Sequence, residues 1–384
     1  MQGKLGIGLY SLSGAYGPRD IEQVKAMIIK AIDSGVKHFD VAETYGKAEE
    51  VLGLVLKNYR DRNYRDQVKI STKLMLNIED KTNDLNIRNI IRHKCLQSLK
   101  NLQTDYIDLY QVHFDNHKIE VDLITNSLDD LKKEGLIGNY GLGHVSIPRL
   151  KKYIEYGELS SLMIECSPVA LKKYQEVYPI CSKNEINLIT HGTTGRGLLS
   201  GKIDKSQFSD TDVRNQDPLF QRSLFASGVR VYKKLKEVSK KYQKTPVQLA
   251  IAWTASLPGI GTVLTGPSTI EHLEENLEGA TWNPDESLIE ELNKFLIEEE
   301  KCRKRNRLND MEQILHQPLF KTRQKIYSDL IYVIEGLIEL NIVNEREVLP
   351  LYKDLTEWKK NKNLSFSKVE EIKNTLKRFF SENQ

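Results

Sequence analysis

The chain has 384 residues, 39% of them hydrophobic and 28% charged, with a net charge of +3. That length accommodates one large α/β barrel with an appendage, or about two to three average domains, and the composition is that of an ordinary globular protein. The small net charge gives no ground for nucleic-acid binding, no stretch approaches the roughly 20 apolar residues of a membrane span, and the start MQGKLGIGLY lacks the basic head and apolar run of a signal peptide. Cys95, Cys166, Cys181 and Cys302 are scattered and form no CxxC, which fits reduced thiols and a cytoplasmic location. Charge is uneven along the chain. From Lys301 onward there are 17 Lys and Arg against 12 Asp and Glu, leaving 39 against 41 for residues 1–300. The shift from slightly acidic to basic suggests a boundary near residue 300.

In chain order, residues 5–10 form an apolar run broken by Gly6 and Gly8, a first strand. A Gly-rich loop over 11–20 leads to a helix over 21–34, where Val24, Met27, Ile28, Ala31 and Ile32 recur at helical spacing before Gly35. Phe39, Asp40 and Val41 end a short second strand, and a helix covers 49–57. The third strand, 67–72, reaches Lys73, and a helix follows over 87–99. The fourth strand, 106–112, delivers His113. Helices over 122–134, 147–156 and 174–183 then alternate with strands over 139–143, 162–166 and 186–190. A polar segment over 201–228 precedes helices over 229–242 and 246–256, an eighth strand over 262–265, and closing helices over 270–279 and 285–299. Strand–helix alternation of this length predicts a (β/α)8 TIM barrel over residues 1–300. Residues 301–384 carry apolar residues at helical spacing (Ile326, Leu330, Val333, Ile334, Leu337, Ile338), with further helices over 348–358 and 369–380. They predict a small all-helical C-terminal appendage, packed on itself or on the barrel, lidding the mouth, or forming a homo-oligomer contact.

Barrel chemistry gathers where strands end. Asp40, Lys73 and His113 lie at the ends of strands two, three and four, and Tyr45 lies in the loop after strand two. Alone, each reads as a cap, a rim charge or a satisfied polar residue. Together on one arc they read as a site. A tyrosine titrates near ~10, so it donates a proton usefully only when a neighbour retunes it. Lys73, held by Asp40, can stabilise the phenolate of Tyr45, and His113 can hydrogen-bond a substrate oxygen. A carbonyl protonated on oxygen also needs hydride on carbon, which a nicotinamide cofactor supplies.

The segments GKLGIGLYSL, FDVAETYG with KAEEVLG, ISTK, SLKNLQTDYIDLYQVH, LKKEGLIGNYGLG, RGLLSGK, TPVQLAIAW and VLTGPSTIEHLEEN together resemble the aldo-keto reductase family over residues 3–298. The resemblance implies a TIM barrel that binds NADP(H), less often NAD(H), in an extended pose without a Rossmann domain. It makes Tyr45 the general acid, Asp40 and Lys73 its tuners, and His113 the residue that orients the carbonyl. The cofactor positions match less closely. Gly143 and His144 stand where the family usually has Ser and Asn for the nicotinamide carboxamide. Met163 replaces a Gln, and His191 replaces the stacking aromatic. Ser268 falls where Arg or Lys often meets the 2′-phosphate of NADP, which leaves NADP(H) and NAD(H) both open. At the adenine end Gly266, Glu275 and Asn276 match, and His272 replaces a Gln. Arg196, Gly197 and Leu198 fit a pyrophosphate-holding turn, and the segment 201–228 is expected to clasp the cofactor or shape the substrate site.

The expected activity is reduction of an aldehyde or ketone, or oxidation of the matching alcohol. His144, His191 and Arg196 favour a polar, sugar-like small molecule, whereas an apolar, aromatic mouth would argue against one. Two other readings use the same residues: a nucleotide-binding sensor or scaffold whose helical tail recruits a partner, and a redox-neutral lyase or epimerase. No metal is expected, because His113 ends a strand and His117 lies in a loop. The run 141–146 lacks a third Gly and is discounted as a dinucleotide loop. The basic run Lys301–Arg307 reads as a solvated linker or helix end.

Overall fold

The computed structural model describes residues 2–59, 64–76, 84–319, 322–361 and 365–382. Strands β1 (Leu5–Gly8), β2 (His38–Asp40), β3 (Lys69–Met75), β4 (Ile107–Phe114), β5 (Ile137–His144), β6 (Ser161–Glu165), β7 (Asn187–His191) and β8 (Ile260–Thr265) pair in sequence order and form a closed barrel. All pairings are parallel, and β1 closes on β8 with Leu5 opposite Val263. Between them run α1 (Ile21–Asp33), α2 (Ala48–Asn58), α3 (Asp84–Leu102), α4 (Val121–Lys133), α5 (Ile147–Tyr156), α6 (Lys172–Lys183), α7 (Arg222–Lys240) and α8 (Pro246–Ser256). Among the described residues, β8 is followed by α9 (Ile270–Thr281), α10 (Glu286–His316), α11 (Arg323–Glu339), α12 (Glu345–Lys360) and α13 (Phe366–Glu382).

Side chains alternate across each strand, so a barrel has two apolar regions. Phe39, Ile70, Tyr110, Tyr140, Leu162, Leu188 and Val263 belong to the large core between strands and helices. Met163, Ile189 and Leu264, with Leu109, form a separate small cluster. The strand residues sharing that second face are otherwise mostly polar: His38, Asp40, Ser71, Lys73, Gln111, His113, Ser161, Glu165, His191 and Thr262. Helix starts follow local chemistry. In TPVQLAIAW, Thr245 and Gln248 form a reciprocal capping box with Pro246 in the first turn.

The chain forms two compact units, Met1–Ile203 with Leu235–Ile289, and Asp204–Lys234 with Glu290–Gln384. The second has its own core, in which Leu224 and α10 residues Met311 and Leu315 meet Leu330, Ile334 and Leu337 of α11, Leu355 and Trp358 of α12, and Leu376 of α13. The apolar stripe expected in the tail is therefore α11, buried on almost every side. A homo-oligomer contact through these helices would use other residues, and Ile297, Tyr352 and Phe366 are exposed.

Two expectations are corrected. The segment 201–228 is not all loop, because α7 begins at Arg222, where Leu224 enters the second core. The basic run Lys301–Arg307 is neither linker nor helix end, because α10 continues through it for a total of 31 residues. Arg303 and Arg307 are buried, the first paired with Glu300 and the second with Glu339. The Arg307 guanidinium also lies 5.0 Å from the ring centroid of Tyr332. Among the described residues no helix is long and apolar enough to cross a membrane.

At Gly53, α2 packs tightly against the end of α3. A Cβ there would lie 2.3 Å from the carbonyl oxygen of Leu102, a backbone atom that cannot swing aside. Gly53→Ala is expected to lower stability by about 2 kcal/mol or more through overpacking, read as a lower denaturation midpoint at unchanged m-value.

Candidate active site

Register places the four residues expected to act together. Asp40 pairs with Ser71, so Lys73, two residues on, shares Ser71's face one step nearer the strand end. Lys73 pairs with Gln111, and His113 sits two residues beyond that. Tyr45 lies between β2 and α2, in a turn whose amide donates to Ala42 O at 3.0 Å. Lys73 Nζ donates to Asp40 Oδ1 at 2.5 Å and to Val41 O at 2.7 Å. The same ammonium lies 4.7 Å from the Tyr45 ring centroid. The Tyr45 and His113 rings meet edge to face with centroids 5.7 Å apart. Lys73 is fully buried, and Asp40, Tyr45 and His113 are nearly so.

Burial alone would strip the proton from Lys73, but Asp40 and Tyr45 outweigh it and hold its pKa above the ordinary value. For Tyr45 burial dominates and raises the pKa; Lys73 pulls it down by charge and hydrogen bond, while Asp40 pushes it up. The expected lowering by Lys73 is present but does not win, and the phenol is protonated at neutral pH, the form a proton donor needs. His113 is held neutral, with burial first and Lys73 second driving its pKa down to about 3. Its Nδ1 is buried without a hydrogen-bond partner. An orphaned polar atom in an interior marks a place where a ligand completes the bonding.

Residues not singled out from sequence hold this group. Glu43 Oε1 accepts from the Met75 amide at 2.7 Å, and its carboxylate pairs with Lys94, which ties the Tyr45 loop to β3 and α3. Glu49, buried on α2, accepts from Thr72 at 2.6 Å and Asn101 at 2.9 Å. Beyond His113, Asp115 takes a two-pronged bond from Arg149 at 2.5 and 2.8 Å and one from Tyr153 at 2.8 Å, pinning the loop after β4 to α5. An acidic residue near a motif could have drawn notice to Glu43 and Glu49, but only the folded register shows which strand each one grips.

Of the expected cofactor residues, His144 and His191 meet near His113, while Ser268 and His272 meet each other. The His144 and His191 rings are 5.7 Å apart, and His144 and His113 are 6.1 Å apart. Phe114 stacks on His144 at 4.6 Å. Burial lowers the pKa of both histidines, that of His191 to about 3, against the opposing pull of Glu165. Glu165 was missed in the sequence, yet it grips Arg196 with two bonds of 2.7 and 2.9 Å. Burial would raise its pKa, but Arg196, His191 and His144 lower it instead. Arg196 has φ +54°, between Gly195 and Gly197, which are also left-handed. An Arg held in that disfavoured region is backbone strain at a rim position. Met163 joins the small apolar cluster and offers no polar contact. Ser268 Oγ and His272 Nδ1 are 2.9 Å apart. Asn276 is buried on α9, with Glu275 beside it, and Gly266 follows β8. The outer edge of the mouth is aromatic. Tyr10 packs on Tyr45 at 5.0 Å and on Tyr16 at 5.7 Å, and both Tyr10 and Phe114 are exposed.

The buried thiols are held in the protonated form. Burial pushes Cys95 and Cys166 up to about 12 and Cys181 to about 11. Among the described residues no group of three His, Cys, Asp or Glu is placed to hold a metal ion.

A closed parallel barrel with a buried ammonium, carboxylate and phenol at the carboxyl ends of neighbouring strands has the build of a (β/α)8-barrel enzyme. A sequence model of the aldo/keto reductase family matches residues 4–297, and the chain belongs to that family. It is 30% identical over 295 residues to the aldo-keto reductase YhdN of Bacillus subtilis, covering 74% of this chain and 87% of that protein. A solved glycerol dehydrogenase from Gluconobacter oxydans aligns with TM-score 0.65 at 22% identity, over 77% of this chain and 91% of its own. An aldo/keto reductase from Klebsiella pneumoniae, solved with NADP and acetate, aligns with TM-score 0.60 at 19% identity, over 76% of this chain and 91% of its own.

The depressed histidines predict a pH dependence. Unfolded, His113 and His191 take up protons near pH 6.5, whereas folded they do so only near pH 3. Between those values the unfolded chain binds more protons, so their contribution to stability falls as pH falls through that window. Heteronuclear NMR between pH 8 and 5 is expected to find both imidazoles neutral throughout; protonation of either above pH 5 would contradict this.

Proposed function

We propose that the chain reduces a small aldehyde or ketone with a nicotinamide cofactor, Tyr45 donating the proton, and runs in reverse on the matching alcohol. As an aldo/keto reductase it is an NAD(P)(H)-dependent oxidoreductase acting on carbonyl compounds. The observation that carries the finer reading is the buried Lys73, whose ammonium binds Asp40 and faces the Tyr45 ring. In that position it stabilises the charge left on Tyr45 once the proton has gone. His113, neutral and with an unpartnered ring nitrogen, holds the carbonyl oxygen.

The rim residues fit a nicotinamide carboxamide by the chemistry of their donors. A primary amide offers two N–H donors and one acceptor. Neutral His144 and His191 each present one ring nitrogen as donor and one as acceptor. When bound, the cofactor supplies hydride to the carbonyl carbon. His144 and His191 would orient it and the Arg196–Gly197–Leu198 turn would meet its pyrophosphate. Gly266, Ser268, His272, Glu275 and Asn276 would meet the adenosine end. The Klebsiella neighbour was solved with NADP, which supports NADPH as the first cofactor to try.

The exposed aromatic pair Tyr10 and Phe114 counts against a polar, sugar-like substrate; with the nearby histidines it suits a small carbonyl compound with one apolar face and hydrogen-bonding groups. The reduced thiols and the absence of a membrane-spanning helix among the described residues are consistent with a cytoplasmic protein.

Tyr45→Phe deletes the donated proton and leaves the ring packing. We expect kcat for NADPH-dependent reduction of a model aldehyde such as 4-nitrobenzaldehyde to fall by about 10²-fold or more. Cofactor affinity, measured by fluorescence titration, should stay within a factor of two or so. Loss of NADPH binding in the parent protein would sink the reductase reading and favour the sensor reading.

A further inference from the structure

Asp40 uses only one oxygen on Lys73. Its other oxygen, Oδ2, accepts from the Ser71 hydroxyl at 2.8 Å. Ser71 is fully buried, so no water replaces that bond. Ser71 Oγ in turn lies 2.9 Å from His38 Nε2, and His38 Nδ1 lies 3.2 Å from Thr262 Oγ1. The line crosses the barrel interior from β8 through β2 to β3 and back to the end of β2.

Its direction follows from elementary hydrogen-bond chemistry. The Asp40 carboxylate can only accept, so the single Ser71 proton points at it. Ser71 Oγ must then accept from His38, which fixes the proton on Nε2. Nδ1 is left as an acceptor for the Thr262 hydroxyl. Every proton in the chain points towards Asp40.

We propose that His38, acting through Ser71, is a positioning residue for the acid group: it holds Oδ2 away from Lys73 so that the ammonium keeps a hydrogen for Tyr45. Lys73 has three N–H donors, and Asp40 Oδ1 and Val41 O take two of them. An unanchored carboxylate would turn both oxygens onto the ammonium and draw the third donor off the phenol. Tyr45 would then be a weaker acid. The sequence offers no prompt for this, because a His two residues before a strand end looks like an ordinary interior polar residue.

The proposal rests on Tyr45 as proton donor, so the test includes a readout that needs no turnover. The charged or titratable groups around Tyr45 are Lys73, Asp40 and Tyr10, with the His113 ring beside it; those around His38 are Asp40, Lys69, Lys73 and Asp108. Ser71→Ala deletes one oxygen; His38→Leu removes the donor, and His38→Gln keeps a donor at a similar reach. Each would be labelled with 3-fluorotyrosine and titrated by ¹⁹F NMR, with the Tyr45 signal assigned by its loss in Tyr45→Phe. In parallel, pH profiles would be taken for NADPH-dependent reduction of 4-nitrobenzaldehyde.

We expect Ser71→Ala and His38→Leu to raise the Tyr45 titration by about half a pH unit or more. The basic limb of kcat should move up with it, kcat near pH 7 should fall several-fold, KM should change little, and His38→Gln should restore the parent values. An unmoved or lowered Tyr45 titration in Ser71→Ala would overturn the proposal, as would equal behaviour of His38→Leu and His38→Gln. If the ¹⁹F shift appears without any turnover in the parent protein, the relay stands and the reductase reading falls.

Discussion

The molecule is organised around an ammonium with no access to water. Lys73 is fully buried, and a bare charge in such a place would cost several kcal/mol or give up its proton. The chain keeps the charge by surrounding it: a carboxylate from β2, a backbone carbonyl just beyond it, and a phenol from the next loop. Each partner in turn needs its own support. Asp40 leans on Ser71, and the Tyr45 loop leans on Glu43 and Glu49, which grip β3 and α3. The geometry around this ammonium is thus set by many small satisfactions of polar atoms, and loss of any one leaves a buried group without its partner.

Much of this was legible from sequence because barrel logic is periodic. Eight alternations predict the closed sheet, and strand-end positions group Asp40, Lys73 and His113 on one arc. The local signals were physical: the apolar spacing of α1, and the Thr–Pro–x–Gln start of α8 that became a capping box. What sequence did not reveal were long-range partners. Glu165 looks like a strand-end acid until the fold sets it against Arg196, 31 positions away. His38 looks ordinary until Ser71 and Thr262 close on it from other strands. The basic run after residue 300 was misread for the same reason. Five positive charges within seven residues resemble a solvated segment, and only the packing of α11 shows that Arg307 lies inside. The sign of the Tyr45 shift also needed the structure, because it depends on burial, which outweighs the nearby cation.

The rim shows a different economy. Three histidines, His113, His144 and His191, stand near one another, where mutual repulsion would be severe if they were charged. Burial keeps them neutral, and each neutral ring can donate on one side and accept on the other. A surface of this kind carries little net charge and still offers directional donors and acceptors.

The 31-residue α10 bears on how the chain came to be longer than its family match, which ends at residue 297. A domain added through a flexible joint would leave a loop at that point, and the joint would be a natural place to cut. Here the family region ends in mid-helix, about three turns after α10 begins. The extra sequence continues a spiral already under way, so it inherits that helix's phase: each inserted or deleted residue at 297 would rotate everything beyond it by about 100°. Change in length at this junction is therefore quantised, tolerable only in steps that restore the same face, and evolution at the seam is expected to run through substitution rather than insertion.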